Sequence, residues 1–232
     1  MLIGAFQKFS LIDYPDKISC IVFTQGCNFR CPYCHNPELV DRRQFMPTIM
    51  PRLFFEFLEK RVKKIDAVVI TGGEPTIQSD LQEFIEKIKE LGFLVKLDTN
   101  GSHPEVLSAL IQKKLLDYIA MDIKAPLALY KRISGVSTNG FKNSDILKSI
   151  KLIINAAVNH EFRTTIVKDL LSKENILQIA DMAKGAQKFV LQNFVPSKTL
   201  DHRFMESTPF SQTDLDEVVH KLEALPFQCE VR

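Results

Sequence analysis

Gly26-Cys27-Asn28-Phe29-Arg30-Cys31-Pro32-Tyr33-Cys34-His35-Asn36 sets three cysteines at C-x3-C-x2-C spacing within eight residues. Thiolates packed this closely make a soft-metal site. An ordinary iron–sulfur cube or structural zinc takes four protein ligands, and this stretch is one short. Three cysteines on a four-iron cube leave one iron open to another ligand. The competing readings are a zinc site with His35 as fourth ligand, or three unrelated thiols. Structural zinc uses paired C-x2-C knuckles far apart in sequence, and no second knuckle exists. His35 directly follows Cys34, which is poor spacing for chelating one tetrahedral ion. The open cluster leads these readings.

The residues before and after this stretch set its context. Ile18 to Thr24 is β-branched and apolar, a buried strand that runs straight into the cysteine loop. Residues 1–17 form a leader with a turn-like stretch, Ser10-Leu11-Ile12-Asp13-Tyr14-Pro15-Asp16. Downstream, a helix is expected from about 51 to 64, with Pro51 suited to its first turn. Strands are expected over 67–71, 93–98, 117–122, 161–167 and 188–193. Helices follow them at about 80–91, 104–114, 144–157, 173–184 and 213–225. Asp80 with Glu83 resembles a capping box, and Gly92 stands where a helix stop belongs.

Six strand–helix alternations predict a parallel sheet covered by helices. Nothing reads as a linker, so one domain is expected over 1–232. Its parts are the leader (1–17), six βα units (18–193) and a C-terminal loop and helix (194–232). Alternation alone also fits a flavodoxin-like or Rossmann sheet. The first βα loop lacks G-x-G-x-x-G, which weakens a dinucleotide fold.

Composition excludes several classes. A chain of 232 residues with 45% hydrophobic and 25% charged residues is ordinary for a soluble globular protein. A net charge of +2 gives no reason to expect nucleic acid or membrane as a partner. No apolar run is long enough to span a bilayer, and the N-terminus lacks a signal-peptide pattern. Five cysteines, three of them clustered, suit a reducing cytoplasm better than a disulfide framework. Cys20 and Cys229 read as packed or incidental thiols.

In parallel α/β folds the chemistry sits at the carboxyl ends of the strands. The second expected strand ends in Thr71-Gly72-Gly73-Glu74-Pro75. Two glycines let the backbone approach a ligand, and Glu74 can accept hydrogen bonds from an ammonium group. Read alone, this is equally a Gly-Gly turn. The third strand ends in Asp98-Thr99-Asn100-Gly101, which can be only a capped turn. The fourth ends in Asp122-Ile123-Lys124, whose charges at i, i+2 can be a rim ion pair. Arg163 on the fifth strand is either an anion-binding cation or a rim arginine. The sixth ends in Gln192-Asn193, a candidate for adenine or ribose.

The cysteine spacing, with an aromatic residue (Tyr33) before the last cysteine, resembles the signature of the radical S-adenosylmethionine (SAM) superfamily. That resemblance implies an open, partial (β/α)6 TIM-like barrel, the radical SAM core. It also implies one 4Fe-4S cluster on Cys27, Cys31 and Cys34, with SAM chelating the open iron. Gly72-Gly73-Glu74 resembles the element that receives the methionyl amine. Asp98, Thr99 and Asp122 resemble segments that hold a monovalent cation beside the SAM carboxylate. Lys124 would face SAM, Arg163 its carboxylate and Asn193 its adenine or ribose, with Tyr33 also in the SAM site.

Within the superfamily, KFSLIDYPDK…FTQGCNFRCPYCHNP is similar to the glycyl-radical-enzyme activating proteins. It is most similar to the short anaerobic ribonucleoside-triphosphate reductase activating proteins, and pyruvate formate-lyase activating enzymes are more distant. The group keeps an aspartate before a proline–glycine turn. Here Asp13 is kept, and Asp16 stands where glycine is common. The leader enters the strand before the cluster loop, so Asp13 is expected near the site, touching a partner's glycine loop. The implied chemistry is reductive cleavage of SAM to a 5′-deoxyadenosyl radical, which takes hydrogen from a glycine of a partner. The implied partners are a glycyl radical enzyme, anaerobic ribonucleotide reductase first, and a flavodoxin- or ferredoxin-type electron donor. Two alternatives stand beside this. One is a radical SAM enzyme acting on a small molecule or peptide, such as a 7-carboxy-7-deazaguanine synthase. The other is a noncatalytic iron–sulfur protein.

Overall fold

The computed structural model describes residues 1–136 and 141–232. Its centre is one eight-stranded sheet whose strand order equals chain order. The first strand, β1 (Ile3–Ser10), runs antiparallel to β2 (Ser19–Thr24). From β2 onward every neighbour is parallel: β3 (Ala67–Gly72), β4 (Leu94–Thr99), β5 (Tyr118–Asp122), β6 (Asn159–Ile166), β7 (Lys188–Asn193) and β8 (Gln228–Val231). A doubly wound sheet reverses its order at a switch point. This one never does, which rules out the Rossmann and flavodoxin alternatives.

The sheet curls into an open barrel. The loop after β7 reaches back to the loop after β2, where the Leu200 amide donates to the Cys34 carbonyl (3.1 Å) and the Asp201 amide to that of Pro32 (2.9 Å). Across the inside, Arg163 of β6 pairs with Asp98 of β4. The two end strands, β1 and β8, close with no ladder between them among the described residues.

Side chains alternate along each strand. Val68, Ile70, Val95, Leu97, Ile119 and Met121 join the large core between sheet and helices. Ile21, Val69 and Tyr118 face the barrel interior, where the leader's Tyr14 packs among them. The helices over the outer face are α1 (Pro37–Val40), α2 (Pro51–Glu59), α3 (Leu81–Glu90), α4 (Pro104–Gln112), α5 (Leu127–Ser134), α6 (Asn143–Asn155), α7 (Lys173–Met182) and α8 (Gln212–Leu222). Ser172 and Ser211 start α7 and α8 with capping boxes completed by Asn175 and Asp214. No described helix is long and apolar enough to cross a membrane.

The structure departs from the sequence reading in five places. The leader is not merely turn-like, because residues 3–10 form β1. A seventh parallel strand, β8, was missed, and so was α5. The helix expected to reach Lys64 stops at Glu59, and Lys63 in the turn beyond it takes φ +62°. Asp80 does not cap α3 with its side chain; its carboxylate pairs instead with the N-terminal ammonium. Gly92 does end that helix in the left-handed region, at φ +87°.

An aromatic cluster ties the first strand to its helices. Phe54 of α2 is fully buried against Phe6 (centroids 5.6 Å) and Phe84 (5.5 Å). Phe54→Ala should therefore cost about 3–5 kcal/mol in chemical denaturation. Phe57→Ala, at a half-buried position of the same cluster, should cost clearly less. Equal losses would mean that burial at Phe54 does not hold β1 against α2 and α3.

Candidate active site at the carboxyl ends of the strands

A cavity of about 240 Å³ opens at the carboxyl ends of the parallel strands. Cys27, Cys31 and Cys34 line it together with Tyr33, Gly72, Gly73, Glu74, Asp98, Thr99, Asp122 and Lys124. Elements far apart in sequence thus converge on one space, each at the end of its own strand.

The cysteine loop is held from three sides. The Gly26 amide donates to Leu39 O of α1 (2.8 Å). The Arg30 amide donates to Ser134 O at the end of α5 (2.8 Å), and the Cys31 thiol to the same carbonyl (3.6 Å). Gly135 makes that contact possible: its φ is +59°, and a Cβ there would meet Arg30 O at 2.2 Å. The third side is the β3 turn. The Gly73 amide donates to Thr24 O and the Glu74 amide to Gly26 O, both at 2.8 Å.

This changes the reading of the two glycines. A Cβ on Gly72 would meet Thr24 N at 2.3 Å, and one on Gly73 would meet Gly26 O at 2.0 Å. Gly72 also holds φ +112°. Both positions exclude a Cβ because the β3 turn presses on the cluster loop, and both also line the cavity.

Glu74 is 1% exposed and joins two strand ends. Its Oε1 accepts from the Thr76 amide (3.1 Å), the Thr76 hydroxyl (2.5 Å) and the Thr99 hydroxyl (2.7 Å). Its Oε2 accepts only from the Asn100 amide (2.7 Å), so it keeps acceptor capacity toward the cavity. Burial pushes its carboxyl above the usual range, against the pull of these donors. An ammonium beside Oε2 would offset that burial cost.

Asp98 and Asp122 lie at the cavity floor, each held between cations. Asp98 meets Lys96 Nζ at 2.9 Å and Arg163 Nη1 at 3.0 Å. Asp122 meets Arg163 Nε at 2.8 Å and Lys124 Nζ at 3.1 Å. Burial alone would raise both acids, but the neighbouring charges win, and Asp122 is held at about 2.

The thiols carry the opposite balance. Burial pushes Cys27 up to about 12 and Cys31 to about 11. Without a metal all three are neutral, and ligation exchanges their protons for iron. Among the described residues no three His, Cys, Asp or Glu side chains converge tightly enough for a single ion. His35 faces away from them, its Nε2 3.0 Å from Val195 O and its ring stacked on Phe194 at 5.2 Å. The zinc reading thus lacks the fourth ligand that His35 was expected to supply. The Tyr33 hydroxyl is buried and has no hydrogen-bond partner beside the cavity.

Arg163 lies beneath the cavity rather than in its lining, and two further expected residues lie elsewhere. Asn193 is turned out of the cavity, bonded on both sides to the Phe210 backbone (3.0 and 3.2 Å), and alternation along β7 gives its place to Gln192. Asp13 is not beside the cluster loop. The leader passes under the amino ends of the strands, where Tyr14 packs on Tyr118 at 5.7 Å. The Asp13 side chain bonds Ser10, and its carbonyl accepts from Lys96 Nζ at 2.7 Å. Lys96, Asn28, Ser134 and Gly135 were missed as site residues. Asn28 bonds Asn100 (2.9 Å) and Ser102 (2.8 Å) across the cavity rim. A lysine two residues before Asp98, hence on the same strand face, was the one legible signal among these.

A family model described as the radical SAM superfamily matches residues 21–186, and the chain belongs to that superfamily. It is 38% identical over 223 residues to a protein of Methanocaldococcus jannaschii provisionally named a glycyl-radical enzyme activating enzyme, spanning 94% of this chain and 90% of that protein. It is 28% identical over 233 residues to the pyruvate formate-lyase-activating enzyme of Clostridium pasteurianum, spanning 96% and 91%. The crystal structure of Streptococcus suis SuiB bound to S-adenosylmethionine shares the fold, with TM-score 0.67 at 16% identity. The match covers 91% of this chain and 51% of that one, so this chain spans about half its length. The superfamily's cofactors are a 4Fe-4S cluster and SAM, and its members are enzymes, which sets the noncatalytic reading aside.

Gly73→Ala should lower iron loading after anaerobic reconstitution, because its Cβ displaces Gly26. Cys229→Ala, which changes a thiol outside the cavity lining, should load normally. Equal iron content in the two variants would show that the turn does not hold the cluster loop.

Proposed function

We propose that this chain is a radical SAM activating enzyme that generates a glycyl radical on a separate protein. The observation that carries this is the convergence of Cys27, Cys31 and Cys34 with the Glu74 turn and the Asp98–Asp122 floor on one cavity. Full-length similarity to two proteins named as activating enzymes supports the choice within the superfamily.

Cys27, Cys31 and Cys34 would hold the cluster. When bound, the cluster supplies one electron that cleaves SAM to methionine and a 5′-deoxyadenosyl radical, which takes a hydrogen atom from the target glycine. Glu74 Oε2 is suited to accept the methionyl ammonium. Lys124, which lines the cavity, is suited to its carboxylate, and Arg163 acts from beneath by holding Asp98 and Asp122. Tyr33, with Phe194 edge-on at 6.4 Å, offers an apolar wall with one free hydroxyl to the nucleoside. Burial of these groups excludes water from a reactive radical.

The target must bring its glycine into near-contact with the nucleoside carbon. Among the described residues β1 and β8 form no ladder with each other, which leaves room for a loop to enter, and Asp13, at the amino ends of the strands, lies away from that meeting point. An anaerobic ribonucleotide reductase is the partner proposed first, with a flavodoxin or ferredoxin as electron donor.

The test mixes reduced protein, SAM and the candidate reductase without oxygen and looks for the glycyl doublet by electron paramagnetic resonance. A doublet is expected, with stoichiometric 5′-deoxyadenosine. Consumption of a small metabolite, and no glycyl radical with any reductase or lyase of the source organism, would move the chain to the small-molecule class.

A further inference from the structure

The resemblance drawn from the sequence implies a monovalent cation between acids at Asp98 and Asp122. A hard cation binds where several oxygens are free to surround it. Here each of the four carboxylate oxygens has a cation beside it, and only Asp98 Oδ1 makes no hydrogen bond. Lys96 Nζ stands 2.9 Å from Asp98 Oδ1, and Arg163 Nη1 3.0 Å from Oδ2. Arg163 Nε stands 2.8 Å from Asp122 Oδ1, and Lys124 Nζ 3.1 Å from Oδ2. Three fixed positive charges face these two acids, and Glu161 stands as a third negative charge behind Arg163, at 3.9 Å from Nη1. A metal ion added here would meet ammonium and guanidinium groups before it met an oxygen.

Lys96 is the unusual member of this set. It is 3% exposed, on the inward face of β4 two residues before Asp98. A buried lysine is costly unless it is paired and hydrogen-bonded. This one has Asp98 Oδ1, the Asp13 carbonyl at 2.7 Å and the Tyr118 ring at 5.7 Å. Its charge is thus fixed in place by three separate elements: the leader, β4 and β5.

We propose that Lys96, with Arg163, serves as a built-in monovalent cation, so that SAM binds this chain without a free sodium or potassium ion. The ammonium neutralises Asp98 beneath the site and thereby keeps that carboxylate from repelling the carboxylate of SAM. Lys96 is a positioning residue: it touches Asp98 and not SAM. The inference rests on the SAM site proposed above.

The experiment measures SAM affinity of the cluster-loaded protein in potassium, sodium and tetramethylammonium chloride at matched ionic strength. The wild type should bind equally in all three. Lys96→Met keeps the stem and removes the charge. It should bind about tenfold more weakly in tetramethylammonium, the worth of one charge-assisted hydrogen bond, and recover in potassium or sodium as the metal fills the vacated place. A lysine needed only for folding would show no such rescue. Wild-type affinity that rises several-fold with potassium overturns the inference, as does a Lys96→Met protein with the same affinity in every salt or one weakened equally in all. If Lys96→Met does not fold, the wild-type series decides by itself. Absence of SAM binding by the wild type in every salt would instead overturn the proposed function.

Discussion

Two backbone hydrogen bonds decide whether this site exists. They run from the amides of Gly73 and Glu74 to the carbonyls of Thr24 and Gly26, both at 2.8 Å. They form only because neither Gly72 nor Gly73 carries a Cβ, since one would fall inside the facing backbone. The thiol-bearing loop and the Glu74 turn are therefore pressed together as one body. Glu74 then extends that body to β4 through Thr99 and Asn100. A substitution that spares every cysteine can still remove the site by separating these two turns.

The barrel interior is built against the usual preference for apolar cores. Its apolar lining is small, and Lys96, Asp98, Asp122 and Arg163 occupy the layer beneath the cavity. Burying ions costs several kcal/mol each unless partners replace the lost water. Each of these ions has at least two partners, so the layer is tolerated. What it provides is a floor of fixed charge under a site whose cofactor carries a sulfonium, an ammonium and a carboxylate. An apolar core of the same volume would be cheaper to fold and could not orient that molecule.

Much of this was legible in the chain. The six parallel strands showed because each is a short apolar run that stops at polar residues, and those polar residues are the site. Cys27, Cys31 and Cys34 showed through their spacing alone. What stayed hidden has physical reasons. β1 is a largely exposed edge with only Ile3 and Ser10 buried, so its alternation is faint. β8 has four residues, Gln228–Val231, none of them buried, and nothing but pairing marks it as a strand. The leader's path under the barrel depends on Tyr14 finding Tyr118 and on Lys96 finding a carbonyl, contacts between residues far apart in sequence. Asn193 was misplaced by one position, and alternation turns a one-residue error into the opposite face of the sheet.

The Asn28 side chain bridges the cluster loop to Asn100 and Ser102, while the Asn100 amide is bound by Glu74. The segment that would hold iron and the segments that would hold SAM are thus one mechanical unit with two loads. Coupling between two ligands is reciprocal: whatever one gains in affinity from the other, it returns in equal measure. In this chain the cluster would tighten SAM, and SAM would in turn protect the cluster. That exchange is readable as slower bleaching of the iron–sulfur absorbance in air when SAM is present. Oxygen tolerance would then follow the supply of SAM, so that the protein's lifetime in air is set by a metabolite as much as by its own shielding.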